Sequence, residues 1–227
     1  MGKMIANDKD IVVPGENLAE GMDFLPGFGT YRDGDNIVAL MVGQLRISGR
    51  ALKIVPLSGK YVPKKDDLVI GNVTDITFNG WLMDVNSAYH AMLPMKDATS
   101  DFITRGADLT KYFKIGDWVA TQITNVTSQK LADATMKGPG LKKLTGGRII
   151  YVSPSKVPRI IGRQGSMVSL LKNTTGCRIV VGQNGVVWVD GDPQKEQLAK
   201  DAIRLIEQEA HTQGLTEKIQ AFLGGSK

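Results

Sequence analysis

The chain has 227 residues, with 28 Lys+Arg against 23 Asp+Glu, a formal charge of +5 and a sequence pI near 9.2. That length suits two or three small domains with modest cores rather than one minimal module, and the mild basic excess favours an anionic partner. No stretch approaches the roughly 18 apolar residues of a membrane helix, and Met1-Gly2-Lys3-Met4-Ile5 lacks the apolar core of a signal peptide, so a cytoplasmic protein without membrane contact is expected.

Residues 1–63 read as a small amino-terminal β-domain. Short apolar runs, 10–13 and 37–42 among them, alternate with Pro14-Gly15 and with Asp33-Gly34-Asp35, and Asp-Gly between apolar runs signals a hairpin because its tight-turn positions favour positive φ. The polar seam Tyr61-Val62-Pro63-Lys64-Lys65-Asp66-Asp67 then marks a boundary near residue 64.

Residues 64–137 carry five predicted strands, at 68–76, 80–85, 91–94, 118–126 and 131–136, with Asn79-Gly80 turning between the first two. The stretch 96–114 leaves room for a crossing connection with a helical turn. Five strands and one long connection satisfy an OB-type barrel, although another small β-barrel would show the same count. Residues 138–146, rich in glycine and lysine, read as a linker, mobile or extended.

Residues 147–227 follow the order β-α-α-β-β-α, an α+β domain. Strands are predicted at 148–153, 178–181 and 186–190, with Gln183-Asn184-Gly185 turning between the last two, and helices at 156–161 and 166–173. A third helix starts at Asp192-Pro193, an N-cap carboxylate followed by proline at the first helical position. A short amphipathic segment carrying Leu215, Ile219 and Phe222 closes the chain. Cys177, the one cysteine, excludes an intramolecular disulfide or a cysteine zinc cluster built from this chain alone and reads as a buried strand thiol.

The sharpest local pattern is Ile160-Ile161-Gly162-Arg163-Gln164-Gly165, a Gly-x-x-Gly loop between two short helices. A nucleic-acid backbone approaches main chain most closely where no Cβ intervenes, and the N–H groups opening the next helix can face phosphate. Charge agrees with this. Between Asp133 and Asp190 there is no acidic residue, while Lys137, Lys142, Lys143, Arg148, Lys156, Arg159, Arg163, Lys172 and Arg178 all fall inside the interval. In the barrel, Phe78, Trp81 and Tyr89 near strand ends are candidates for stacking on bases, against the plainer reading that they are core.

Catalysis finds little support. His90 and His211 are the only histidines, neither at metal-ligand spacing with another ligand, and they read as a loop residue and a helix C-terminal residue. Asp66-Asp67 and Asp97/Asp101 sit in polar connections and make a weak case for metal acids. No cofactor, metal or catalytic residue is expected.

With these residues in view the chain resembles the S1- and KH-containing RNA-binding cap subunits of the archaeal-type exosome. Val12-Val13-Pro14-Gly15-Glu16, Gly29-Thr30-Tyr31 and Gly34-Asp35 are similar to that family's first domain. Gly71-Asn72-Val73-Thr74-Asp75-Ile76 with Gly80-Trp81-Leu82 resembles the opening of an S1 barrel, and the segment 160–165 resembles the signature of a type I KH domain. The resemblance implies a non-catalytic subunit, three copies of which, alone or mixed with another cap subunit, sit on a hexameric ring of RNase PH-type exonuclease subunits and help guide single-stranded RNA into its pore. It implies RNA contacts by Gly162, Arg163, Gln164 and Gly165, with Phe78 as the first aromatic of the barrel's RNA face. Where S1 barrels commonly carry a second aromatic and a histidine, this chain has Leu82 and Pro94, so phosphate contacts or ring attachment are the expected barrel roles. The competing readings are a stand-alone S1/KH transcription or translation factor and, further off, a self-sufficient nuclease.

Overall fold

The computed structural model describes residues 2–100, 103–104, 106–210, 212 and 214–224. They divide into two compact units, residues 1–59 and 60–227.

The first unit is two small sheets. β1 (Lys3–Met4), β2 (Ile11–Val12), β3 (Asn17–Glu20), β4 (Leu25–Pro26), β5 (Thr30–Asp33), β6 (Asn36–Ala39), β7 (Gly43–Ser48) and β8 (Ala51–Pro56) assemble in the orders β1-β3-β6-β5 and β2-β7-β8-β4. Asp33 opposes Asn36 across Gly34-Asp35, where the sequence places a hairpin. The β7–β8 hairpin is equally regular, pairing Ser48 with Ala51 around Gly49-Arg50. Alternation along these strands puts Val12, Leu18, Ile37, Leu45, Leu52 and Ile54 into one core.

The second unit begins at residue 60, four residues before the boundary predicted near residue 64, because Tyr61 packs into the next core and its hydroxyl donates to Asp67 Oδ2 at 2.7 Å. β9 (Leu68–Thr77), β10 (Gly80–Asp84), β11 (His90–Pro94), β12 (Trp118–Val126) and β13 (Ala132–Thr135) form a closed barrel. The ring of pairings is β13-β11-β10-β9-β12, closed by β12 on β13. The long connection holds α1 (Met95–Ala98) and a 3-10 turn, Leu109–Lys111, as its length predicts. Three residues of the expected linker join the sheet: β14 (Lys142–Leu144) pairs antiparallel with the start of β12, Leu144 opposite Trp118.

The KH-type part runs β15 (Arg148–Tyr151), α2 (Val157–Ile161), α3 (Ser166–Thr175), β16 (Arg178–Val181), β17 (Val186–Asp190), α4 (Pro193–Gln208) and α5 (Leu215–Gly224), with sheet order β15-β17-β16. Asp192 caps α4 by accepting from Gln194 N at 3.0 Å, with Pro193 inside the first turn. α2, α3 and α4 cover one face of the sheet, and α5 lays Leu215, Ile219 and Leu223 into that same core. Cys177 is a buried free thiol there. The other face of the sheet is partly covered by the barrel: Val186 and Trp188 pack with Ile70, Ala120 and Leu144.

Candidate nucleic-acid interface

α2 buries Val157 and Ile160 and turns Arg159 outward, then stops at Gly162, whose φ of 76° leaves the helix. A Cβ on Gly162 would lie 2.6 Å from Met167 N and 2.7 Å from Met167 Cβ, so the approach of the two helices requires glycine. Gly165 is different: space around it is open, but its φ of 78° is left-handed. Gln164 between them is left-handed too, at φ 53°, ψ 30°. Arg163 and Gln164 are thereby held on the outside of a tight turn, exposed and without a hydrogen-bonded side-chain partner among the described residues. α3 starts at once, so its first N–H groups stand beside the loop, and it buries Met167 and Leu171 while pointing Lys172 to solvent.

Space sorts the basic interval more sharply than sequence does. Lys143 pairs with Asp117, and Arg148 Nε lies 3.1 Å from Glu196 Oε2. Arg178 is paired as well, although its side chain remains largely exposed. It shares the barrel-side face of the sheet with Val180, pairs with Asp190 through both Nε and Nη2, and sits 5.8 Å from the centre of the Trp188 ring. Lys156, Arg159, Arg163 and Lys172, by contrast, have no acidic partner within 4.0 Å among the described residues, and Lys137 is equally unpaired at the end of the barrel. The excess charge is regional: residues 138–227 hold 13 Lys/Arg and 7 Asp/Glu, whereas residues 64–137 hold 8 and 9.

In the barrel, Phe78 stands at the β9–β10 turn with 88% of its surface exposed. Trp81 corrects the expectation of a stacking platform, for it is 0% exposed. Opposite Ile76 and Leu93 its side chain falls on the inward face, where Nε1 donates to Phe113 O at 3.1 Å and the ring meets Phe113 edge-on at 5.1 Å. Tyr89 is exposed in the connection before β11. His90 is the first residue of β11, opposite Asp84, rather than a loop residue. Among the described residues no three His, Cys, Asp or Glu side chains gather as metal ligands; His211 and Asp101 lie outside the described residues.

Sequence reasoning missed Asn184, which it reads only as part of a turn. Its side chain is fully buried against the barrel: Nδ2 donates to Ile70 O (2.8 Å) and Val85 O (2.9 Å), Oδ1 accepts from Ile70 N (3.3 Å), and its own carbonyl accepts from Asn86 Nδ2 (2.9 Å). Gln183 N adds a bond to Leu68 O at 2.8 Å. Asn-Gly marks the turn but carries no signal of the edge it docks on.

A closed five-stranded OB-like barrel packed on a KH domain with an unobstructed Gly-x-x-Gly loop defines a chain of the single-strand nucleic-acid-binding class. Family models match the KH domain over residues 148–205 and the exosome complex exonuclease RRP4 N-terminal region over residues 11–48. The exosome complex component Rrp4 of Methanothermus fervidus is 44% identical, with 97% of each chain covered, and that of Thermococcus kodakarensis is 40% identical, covering 98% of this chain and 88% of the relative. A crystal structure described as an exosome complex RNA-binding protein superposes with a TM-score of 0.65 at 33% identity, over 74% of this chain and 97% of that one. The chain belongs to the exosome complex component Rrp4 family.

Proposed function

We propose that this protein is a non-catalytic, cytoplasmic RNA-binding subunit of the exosome that caps the phosphorolytic ring and helps guide single-stranded RNA into the central pore for 3'-5' degradation. The observation that carries the reading is the Gly162–Gly165 loop, with Arg163 and Gln164 held outward between the unpaired cations Lys156, Arg159 and Lys172. Such a loop clamps a backbone through main-chain N–H groups and charge, with little readout of base identity. Gly162, Arg163, Gln164 and Gly165 are the contact residues, Lys137 extends the basic surface, and Phe78 offers a ring to a passing base.

The amino-terminal domain, residues 1–63, is assigned to docking on the hexameric ring of RNase PH-type subunits, three copies per ring, alone or shared with another cap subunit. Of the 17 exposed large apolar or aromatic side chains among the described residues, 11 lie in residues 1–59, Ile11 and Val55 on one sheet among them. Exposed apolar surface at that density marks a protein interface.

Size-exclusion chromatography with light scattering, on the protein alone and mixed with a purified ring, followed by decay of a labelled RNA, tests the reading. Co-elution at three copies per ring with faster or more processive decay is expected. RNA binding by the free protein without ring association would move the assignment to a stand-alone S1/KH factor. Replacing Arg163 and Gln164 by Asp should abolish most binding of RNA by the KH domain with the fold intact, and retained affinity would remove the loop from the site.

A further inference from the structure

On the outer face of the barrel, Trp118, Asn72, Asp84 and His90 stand in one row. Trp118 opposes Asn72, Asn72 opposes Asp84, and Asp84 opposes His90 across four adjacent strands. Their sequence neighbours Val119, Val73, Met83 and Ala91 are core residues, which fixes the row outside. The KH domain closes one end: Tyr151, the last residue of β15, meets the Trp118 ring edge-on at 6.5 Å yet keeps 51% of its surface exposed. Trp118 is half-buried and packs against the barrel–KH core, but the open Tyr151 ring, beside three polar side chains at the junction of two modules, is not explained by packing.

The polar groups have capacity left over. Asn72 Nδ2 donates to Gly116 O at 3.0 Å, while its Oδ1 accepts nothing among the described residues. One Asp84 oxygen accepts from Asn86 N at 2.8 Å, and the residue is exposed. Burial and the charge of Asp84 raise the Tyr151 phenol above its ordinary value, so it remains a neutral donor. Asp84, in a barrel with more acids than bases, repels phosphate. What a carboxylate beside an amide does recognise is the edge of a base: an exocyclic amine donates to the carboxylate while the amide meets the adjoining ring atom.

We propose that Tyr151 and Trp118 form a base-stacking subsite at the barrel–KH junction, with Asp84 and Asn72 selecting a base that bears an exocyclic amine over uracil. The inference rests on the RNA-binding reading above and adds to it a place where base identity is read. Single-stranded RNA is the fitting occupant because Phe78, the most exposed aromatic ring among the described residues, tops the same pair of strands that present Asn72 and Asp84. Phosphates are then held at the KH loop and a base at the junction.

The test is binding of equal-length oligoadenylate and oligouridylate to the full chain at fixed salt, for the wild type, Tyr151→Ala, Tyr151→Phe and Asp84→Ala, each checked for an unchanged melting curve. The wild type should favour oligoadenylate. Tyr151→Ala should weaken oligoadenylate by roughly fivefold or more, as loss of one base stack does, and Tyr151→Phe should restore most of it. Asp84→Ala removes a repulsive charge and so strengthens both oligomers, but should bring their ratio close to unity. A ratio of unity in the wild type, or one unchanged in Asp84→Ala and Tyr151→Ala, overturns the subsite. If the ratio is unchanged while the Arg163→Asp, Gln164→Asp double variant loses binding, the subsite falls and the KH reading stands; if the wild type binds neither oligomer, both fall.

Discussion

The side-chain amide of Asn184 exchanges two hydrogen bonds with the backbone of Ile70, Nδ2 to O at 2.8 Å and N to Oδ1 at 3.3 Å. It behaves as an added strand residue on the stretch of β9 that lies beyond the end of its pairing with β10, and a third bond to Val85 O completes the joint. Barrel and KH domain are therefore locked by a turn that satisfies both side-chain polar atoms of Asn184. Asn184→Ala should cost about 2–4 kcal/mol, because it removes three bonds and strands the buried groups they satisfied. Urea denaturation measures this, and separate barrel and KH transitions should appear where the parent shows one.

Phe78 and Trp81 lie three residues apart and predict opposite behaviour. Phe78→Ala should leave stability within about 0.5 kcal/mol, as an exposed substitution does, while weakening RNA binding severalfold. Trp81→Phe keeps an aromatic but strands Phe113 O and shrinks the core ring, costing about 2–3 kcal/mol with no loss of RNA affinity in the folded protein. Melting curves and RNA titrations on the two variants check both halves.

Much of this architecture is legible from local chemistry. The strands Arg178–Val181, Val186–Asp190 and Trp118–Val126 match their predicted bounds, since each is an apolar or alternating run ended by glycine, asparagine or a polar turn. The Gly-x-x-Gly loop is legible because both glycines answer backbone demands. What sequence leaves hidden depends on distant partners. Trp81 looks like a strand-end aromatic until its inward register is known, Arg178 looks unpaired until β17 brings Asp190 beside it, and Lys142–Leu144 looks like linker until the edge of β12 is there to pair with. Tyr151 and Trp118 are separated by 33 residues in sequence, and no local period connects them.

The two loop glycines should respond differently to alanine. At Gly162 the added methyl would strike Met167 N and Cβ at 2.6 and 2.7 Å and must push α3 away from α2. At Gly165 it meets nothing nearer than Val168 Cγ1 at 4.0 Å, leaving only the left-handed backbone cost of about 1–2 kcal/mol. Thermal denaturation should rank Gly162→Ala as the more damaging by at least about 1 kcal/mol.

Thr121 lies in the barrel wall, and its Oγ1 is a buried side-chain oxygen with no hydrogen-bond partner among the described residues. Its neighbours on the strand's inward face, Val119 and Ile123, are core residues. Valine has the same shape without the hydroxyl. Thr121→Val should therefore stabilise the barrel by about 1 kcal/mol, read as a rise in the midpoint of chemical denaturation with an unchanged slope.

Acid should act partly through Asp117. Burial pushes its carboxyl up, but hydrogen bonds from Lys143 Nζ and Lys114 N, together with both lysine charges, outweigh burial and leave it below the ordinary value of 3.8. A group whose folded pKa is depressed stabilises the fold above its unfolded pKa, and that contribution is lost as pH falls below about 4 through the folded value. Lys143 belongs to β14 and Asp117 to the turn that starts β12, so the pair fastens the last barrel-edge strand. Asp117→Asn should lower stability near neutral pH by about 1 kcal/mol, the range for a partly exposed pair, and flatten the acid side of the stability curve. Some slope will remain, because Asp108, held down by hydrogen bonds from the Thr110 hydroxyl and backbone N–H, titrates in the same direction. Denaturation midpoints for the parent and Asp117→Asn, measured from neutral pH down to below 4, should converge at the acid end; parallel curves would show that Asp117 carries no proton-linked stability.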